Sequence, residues 1–403
     1  MSINIMKHST FLIHNGTVLT SHRQIPDGSI LVVDGIIEGV YEKKIDLPDI
    51  PKVDAKGRYI SPGFIDLHVH GGGDSDFMEG TVEAYLNIAR THAGYGTTGM
   101  FPTTLSGKWE DFLKALDVYE EADERNREGA EFLGVHIEGP YLAMSQKGAQ
   151  DPRYIRDPDP EEYEYILRKY PFIKRWSIAP ELPGALEFGA FMRQHGVLTA
   201  IAHTDALYDD VVRAHEAGFT LATHFYSAMS TVTRRNAFRF AGSIEATYLL
   251  DAMDVEIIGD GIHLPAPLLQ YIIKVKGTDR TALITDAMRA AGMPEGPSIL
   301  GTKEDGLKVI VEDGVAKLPD RSSFAGSVAT MDRTVRTIMK KANVPLVEAV
   351  KMASLVPARI MKIEDQKGSI TPKKDADIII FDDDIKVSMA MVKGKVVFDE
   401  ADN

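Results

Sequence analysis

Six of the 12 histidines of this chain lie at or just past the ends of short apolar, β-branched runs. His68 and His70 close one such run and are followed by three glycines. Side chains two apart on a strand point the same way, so both imidazoles face one side. His136-Ile137-Glu138 ends another run, and His203 and His224 end two more. Asp260-Gly261-Ile262-His263 and Thr285-Asp286 close the last two. Neutral imidazoles together with carboxylates form the donor set of a borderline-soft divalent ion when no thiolate is available. None is: the chain has no cysteine. That excludes a disulfide framework, an iron–sulfur cluster and a cysteine nucleophile, and leaves any metal to His, Asp and Glu.

Taken singly, each signal has an ordinary explanation. A His-x-His pair can be structural, and Asp286 could cap the next helix. The joint pattern at successive strand ends is what points to a metal. His92, His195 and His215 fall in helical or loop stretches, and His8, His14 and His22 in the β-rich start, so these six read as structural or surface. His136 shares a face with Glu138 and reads as barrel interior, behind the ligands. Trp176 and the methionines read as core.

The elements that must hold such a site follow from the pattern of the middle of the chain. Short apolar runs alternate there with longer helix-like stretches, as in a parallel β/α fold. Eight strand candidates can be counted: Tyr59–Val69, Thr97–Thr103, Phe132–Ile137, Lys174–Ala179, Val197–Ala202, Thr220–Phe225, Val255–Gly259 and Thr281–Thr285. Eight parallel strands close a barrel, whose active sites lie at the C-terminal strand ends. The expected fold is therefore a (β/α)₈ TIM-like barrel. Both chain ends are β-rich. Phe11–Thr20 and Ser29–Tyr41 are interrupted by the hairpin-turn pairs Asn15-Gly16 and Asp34-Gly35. Asp377–Phe381 and Met391–Phe398 match them in style. The expected organisation is a small β-sandwich built from residues 1–58 and 361–403 around a barrel over residues 59–360. Leu307–Leu318, turning at Asp313-Gly314, reads as an extra hairpin or flap, and Ser327 as the N-cap of a helix Val328–Lys341.

Length and composition agree. The 403 residues allow about two to three domains, or one barrel with an accessory unit. Apolar residues make up 44% and charged residues 26%, an ordinary globular mixture. A net charge of −14 argues against nucleic acid or an anionic membrane as partner. Met1 to Leu12 has one lysine and broken apolar runs, unlike a secretory signal, and no stretch approaches roughly 20 apolar residues. A cytoplasmic protein without a membrane partner is expected.

The site residues resemble the amidohydrolase superfamily and, within it, the N-acetylglucosamine-6-phosphate deacetylases. The segments that carry the likeness begin with Pro62-Gly63-Phe64-Ile65-Asp66 before the His pair, Gly96-Thr97-Thr98 and His136-Ile137-Glu138-Gly139-Pro140. They continue through Thr223-His224, Ala228-Met229, Asp260-Gly261-Ile262-His263, Thr285-Asp286-Ala287-Met288 and Phe324-Ala325-Gly326-Ser327. The resemblance implies Glu138, His203 and His224 as ligands of one metal, with His68, His70 and a bridging Glu138 holding a second. Asp286 would lie beside the metal as proton shuttle. One or two divalent ions are implied, with zinc first and iron or manganese as alternatives. Arg235 and His263 occupy positions used for the sugar phosphate, and Ala228 lies in the same substrate stretch. Two departures stand out. Ser227 takes the place of a family Asn that helps hold the phosphate, and Gln150 that of a His that polarises the carbonyl. Ser and Gln still donate hydrogen bonds.

The expected reaction is hydrolysis of N-acetylglucosamine 6-phosphate to glucosamine 6-phosphate and acetate, by hydroxide generated at the metal with Asp286 as general base and acid. His263 or Gln150 would steady the oxyanion, and Arg234 or Lys147 could support Arg235 at the phosphate. The closest alternative substrate is the galacto epimer or a related N-acyl amino sugar. Strand four ends Ala179-Pro180-Glu181 without the lysine of the cyclic-amide hydrolases, and no His-x-x-Glu follows strand five as a nucleobase deaminase would have. A metal-free scaffold protein is the remote alternative, and no ligand has been lost to support it. The family implies a homodimer.

Overall fold

The computed structural model describes residues 9–402, so His8 lies outside the described residues. Val135–Glu138, Ile173–Ile178, Leu198–Ile201, Phe219–Ala222, Asp254–Ile258 and Thr281–Ile284 pair in parallel in that order. Phe64–Val69 pairs in parallel with Thr97–Pro102. Bridges from Thr103 to His136 and from Val69 to Ala287 join the two arcs at both seams, so the eight strands close into a barrel. The strands are buried almost throughout, as a sheet covered on both faces requires. A helix follows each strand. Thr81 caps the first (Val82–Ala93) by accepting from Ala84 N. Asp159 caps Pro160–Lys169, with proline in the first turn where its missing N–H costs nothing.

Several local expectations change. The run Tyr59–Val69 is two strands broken at Gly63, where a Cβ would fall 2.1 Å from Thr98 Oγ1. Tyr59–Pro62 leaves the barrel and pairs with Ile378–Phe381. The third barrel strand is Val135–Glu138; Glu131–Phe132 instead pairs with the second. Asn15-Gly16 makes no hairpin turn. It is an irregularity inside the strand Thr10–Leu19, where Asn15 Nδ2 donates to Asp54 Oδ1 (2.6 Å) and a Cβ on Gly16 would lie 2.6 Å from Arg58 O. Asp34-Gly35 does turn the chain, with φ of 50° and 80°. Met391–Phe398 is a hairpin, Val387–Val392 and Lys395–Asp399, rather than one run.

Ser327 is not a helix cap. It ends the strand Phe324–Ser327, and the helix Met331–Ala342 starts after Thr330. Ser327 instead donates through Oγ to Thr285 O (2.6 Å) and through N to Asp286 O (2.7 Å), fixing the backbone around Asp286. The Asp313-Gly314 hairpin forms as expected, within an antiparallel sheet of Gly296–Leu300, Leu307–Glu312, Val315–Lys317 and Phe324–Ser327.

Strands from both chain ends make one eight-stranded sheet with its own apolar cluster, including Ile13, Ile30, Ile60, Ile378 and Met391. Lys367 ties this sheet to the barrel. Its ammonium lies 2.6 Å from Glu131, 2.8 Å from Asp375 and 2.8 Å from Asp377. These three acids have a metal-like spacing, but the lysine supplies their cation. Burial works against the charged lysine; the Asp377 and Glu131 carboxylates outweigh it and keep it protonated. Lys367→Met should therefore cost about 3–5 kcal/mol of stability in urea unfolding, because it strands buried carboxylates. A loss below about 1 kcal/mol would mean that the cluster behaves as a solvated surface pair.

Candidate metal centre and active site

Five barrel strands deliver their last residues to one place. His68 and His70 leave the first strand on the same side, with Nε2 atoms 3.1 Å apart. Glu138, at the end of the third, turns Oε1 toward His224 Nε2 (3.0 Å), His203 Nε2 (3.3 Å) and His68 Nε2 (3.6 Å). Its Oε2 lies 3.4 Å from His70 Nε2. Asp286 Oδ1, past the eighth strand, is 3.2 Å from His70 Nε2 and 3.5 Å from His68 Nε2. His203, His224 and Asp286 all have positive φ, at 45°, 30° and 49°. Such backbone costs of order 1–3 kcal/mol at a non-glycine residue and persists where the surroundings enforce it. Here they do. Asp286 N donates to His68 O (2.9 Å) across the closing seam, and Thr223 N to Ile201 O (2.9 Å).

The rings are set by their other nitrogens. Nδ1 of His203 faces Gln146 O (2.7 Å), that of His224 faces Ser227 O (3.2 Å) and that of His70 faces Thr103 O (3.2 Å). A carbonyl only accepts, so each Nδ1 carries the proton and each Nε2 keeps its lone pair toward the centre. His136 stands behind, bonded to Ser177 Oγ (2.8 Å) and Thr103 Oγ1 (3.2 Å), its ring edge-on to His68, as expected of barrel interior. His92 is buried with Nε2 on Gly71 O (2.9 Å), and Trp176 is fully buried.

Charge tests whether these groups fit a cation. Burial pushes the Glu138 carboxyl up, but the imidazoles of His68, His203 and His224 outweigh it and hold it well below its usual range. Burial disfavours charge on His70, yet the Asp286 and Glu138 carboxylates raise it to about 10. Left to themselves, the two acids would pull a proton onto an imidazole. A divalent ion answers the same demand with lone pairs already aimed at it. Two donor groups have ligand spacing: Glu138, His203 and His224, and His68, His70 and Asp286. All six residues are buried.

An open cavity of about 370 Å³ lies over this centre. Gln150, Ser227, Ala228 and His263 line it, with Tyr226 and Phe324. His263 Nδ1 is 2.7 Å from Asp260 Oδ2, and the ring packs on Phe324 with centroids 4.6 Å apart. Burial opposes the Asp260 charge, but the bond to His263 holds the carboxyl below its usual value. Gln150 reaches Glu138 and Ser106 rather than open space. Arg235 is elsewhere. It is exposed on the hairpin Thr233–Arg235 and Phe238–Phe240, beside an exposed Arg234, and does not line the cavity. Lys147 is half-buried with its ammonium on Gly148 O (3.4 Å) and does not line it either. Among the described residues, no Lys or Arg does.

The sequence pattern assigns no role to Asp260, Thr103 or Gln146. Asp260 had a signal, three residues before His263. Thr103 and Gln146 act through backbone carbonyls, which no side-chain pattern can announce.

Residues 59–397 match the model of the amidohydrolase family. This chain belongs to the amidohydrolase family. It is a metal-dependent hydrolase of that family, and its two donor groups with ligand spacing sit at the barrel's C-terminal strand ends. The chain is 31% identical over 392 residues to the N-acetylglucosamine-6-phosphate deacetylase of Lysinibacillus sphaericus, spanning 96% of this chain and 97% of that one. A Mycobacterium smegmatis N-acetyl-D-glucosamine-6-phosphate deacetylase variant, solved in complex with N-acetyl-D-glucosamine-6-phosphate, has the same fold with a TM-score of 0.87. It is 30% identical, over 96% of this chain and 99% of that one. An N-acetylgalactosamine-6-phosphate deacetylase from Shewanella sp. (strain ANA-3) is 30% identical over 98% of both chains. No helix among the described residues is long and apolar enough to cross a membrane.

Elemental analysis of this amidohydrolase should find divalent metal, and His224→Ala should lose it from the Glu138 group. Chelation should abolish hydrolysis and re-addition of the ion restore it. Full activity in verified metal-free protein would contradict the assignment.

Proposed function

We propose that this chain hydrolyses N-acetylglucosamine 6-phosphate to glucosamine 6-phosphate and acetate. The observation that carries this reading is that Asp286 lies beside the Glu138, His203 and His224 group in the lining of one cavity, which His263, Ser227 and Ala228 also line. Relatives named for this reaction and for its galacto counterpart span nearly the whole chain.

An amide resists hydrolysis because water is a weak nucleophile and an amine a poor leaving group. When bound, the divalent ion supplies Lewis acidity that makes water easier to deprotonate and a carbonyl easier to attack. Glu138, His203 and His224 would hold that ion, and His68 and His70, with Asp286 beside them, have the donors for a second. We assign zinc on the nitrogen-and-oxygen donor set, with iron or manganese able to use the same ligands. Asp286 accepts the proton of the attacking water as the new C–O bond forms. It then delivers that proton to the sugar nitrogen as the C–N bond breaks. His263, oriented by Asp260, presents Nε2 to the bound sugar phosphate. Ser227 and the backbone at Ala228 line the sugar's path.

The phosphate still needs a cation that the cavity lining lacks. Arg235 is our candidate. Val232, Phe238 and Phe240 around it are 51%, 73% and 39% exposed, an apolar hairpin without a partner in one chain. We propose that two copies pair through it as a homodimer, which would bring the Arg235 of one chain to the cavity of the other. We place the enzyme in the cytoplasm, where such sugar phosphates are made and consumed.

Amine release should be fastest from N-acetylglucosamine 6-phosphate when it is tested beside its galacto epimer and unphosphorylated N-acetylglucosamine. Preference for the epimer would show that Ser227 marks the galacto reading; indifference to phosphate would remove the anion from the account. Asp286→Asn should keep most of its metal and lose about 100- to 10,000-fold in kcat. Arg235→Ala should raise KM for the phosphorylated substrate far more than for the unphosphorylated one, and an equal effect on both would place the phosphate elsewhere.

A further inference from the structure

Both ends of the Gln150 amide are already engaged, although the residue lines the cavity. It is buried, and one end of its amide faces Ser106 N at 2.9 Å while the other faces Glu138 Oε2 at 2.7 Å. A backbone N–H can only donate and a carboxylate can only accept, so Oε1 meets Ser106 and Nε2 meets Glu138. The same short segment also braces a second ligand, because Gln146 O takes the Nδ1 proton of His203 at 2.7 Å. A turn from Gln150 N to Lys147 O (2.9 Å) and a bond from Ala143 N to His203 O (2.9 Å) hold the segment in place.

We propose that Gln150 is a positioning residue for the metal. By fixing Oε2 of Glu138 it turns Oε1 toward His203 and His224, so that the three donors are set before an ion arrives. With Gln146, it makes residues 146–150 a brace for two of the three ligands. This rests on the reading of Glu138, His203 and His224 as metal ligands. It differs from the role implied by resemblance, a donor to the substrate carbonyl, which would affect turnover and leave metal affinity alone. Partners that orient a ligand are worth about 10- to 100-fold in metal affinity.

The test is a metal titration against a chromophoric chelator, using zinc and the full-length chain, on wild type, Gln150→Leu and Gln150→His. Thermal unfolding of each metal-free protein would be recorded alongside. Gln150→Leu keeps the bulk and removes the donor. It should weaken zinc binding about 10- to 100-fold in a protein that still folds, with a lower metal-free midpoint because Ser106 N and Glu138 each lose a partner. Gln150→His, which restores a ring N–H, should recover most of that affinity. Wild-type affinity in folded Gln150→Leu would overturn the proposal, as would a His variant that binds zinc as weakly as Leu. Failure of the wild-type chain to bind zinc, iron or manganese would instead overturn the reading of the ligands beneath it.

Discussion

Two buried carboxylates, Glu138 and Asp286, must stay ionised among four imidazoles at one end of the barrel. A carboxylate out of water is costly unless paired and hydrogen-bonded. The structure meets that cost by convergence. No local segment could place residues 68, 70, 138, 203, 224 and 286 within bonding distance, because they come from five different strands. Closure of the barrel does it. The seam between first and eighth strands, where Asp286 N meets His68 O and His70 N meets Ala287 O, is thus a part of the site as well as of the fold.

Beneath the ligands the barrel interior is polar, an expensive choice for a core. Arg175 pairs with Glu256 at full burial and donates to Thr223 Oγ1 and Leu67 O, each at 2.9 Å. Asp66 accepts from His68 N (3.3 Å) and Thr285 N (3.2 Å). Burial drives the Asp66 carboxyl up to about 7, even with Thr285 bonded to it. These groups hold the strand ends that carry the ligands, and His136 fills the space between them. Oriented side chains behind a metal centre fix its ligands and are worth about 10- to 100-fold in metal affinity or activity.

Much of this was legible in the sequence, and the reason is physical. A parallel strand buried on both faces has little use for His or Asp, so such residues at successive strand ends stand out against the runs before them. Eight runs, their order and the cluster of histidines and carboxylates at their ends could be read that way. What could not be read depends on close approach or on backbone atoms. Gly63 splits a strand because Thr98 leaves no room for a side chain. Asn15-Gly16 looks like a hairpin turn, but Asp54 and Arg58 crowd it into a strand irregularity. Ser327 has the composition of a cap, and its hydroxyl is spent on Thr285 O beside Asp286. Arg235 was legible as a residue type but not as a location, since its exposed hairpin lies outside the cavity.

The account turns on Glu138 sharing an ion with His203 and His224. Crystals of the purified chain, measured on both sides of the absorption edge of the metal found by elemental analysis, would test it directly. The account predicts an anomalous peak within coordinating distance of Glu138 and of Nε2 of both histidines. A peak bounded only by His68, His70 and Asp286, or none in protein that carries metal, would contradict it.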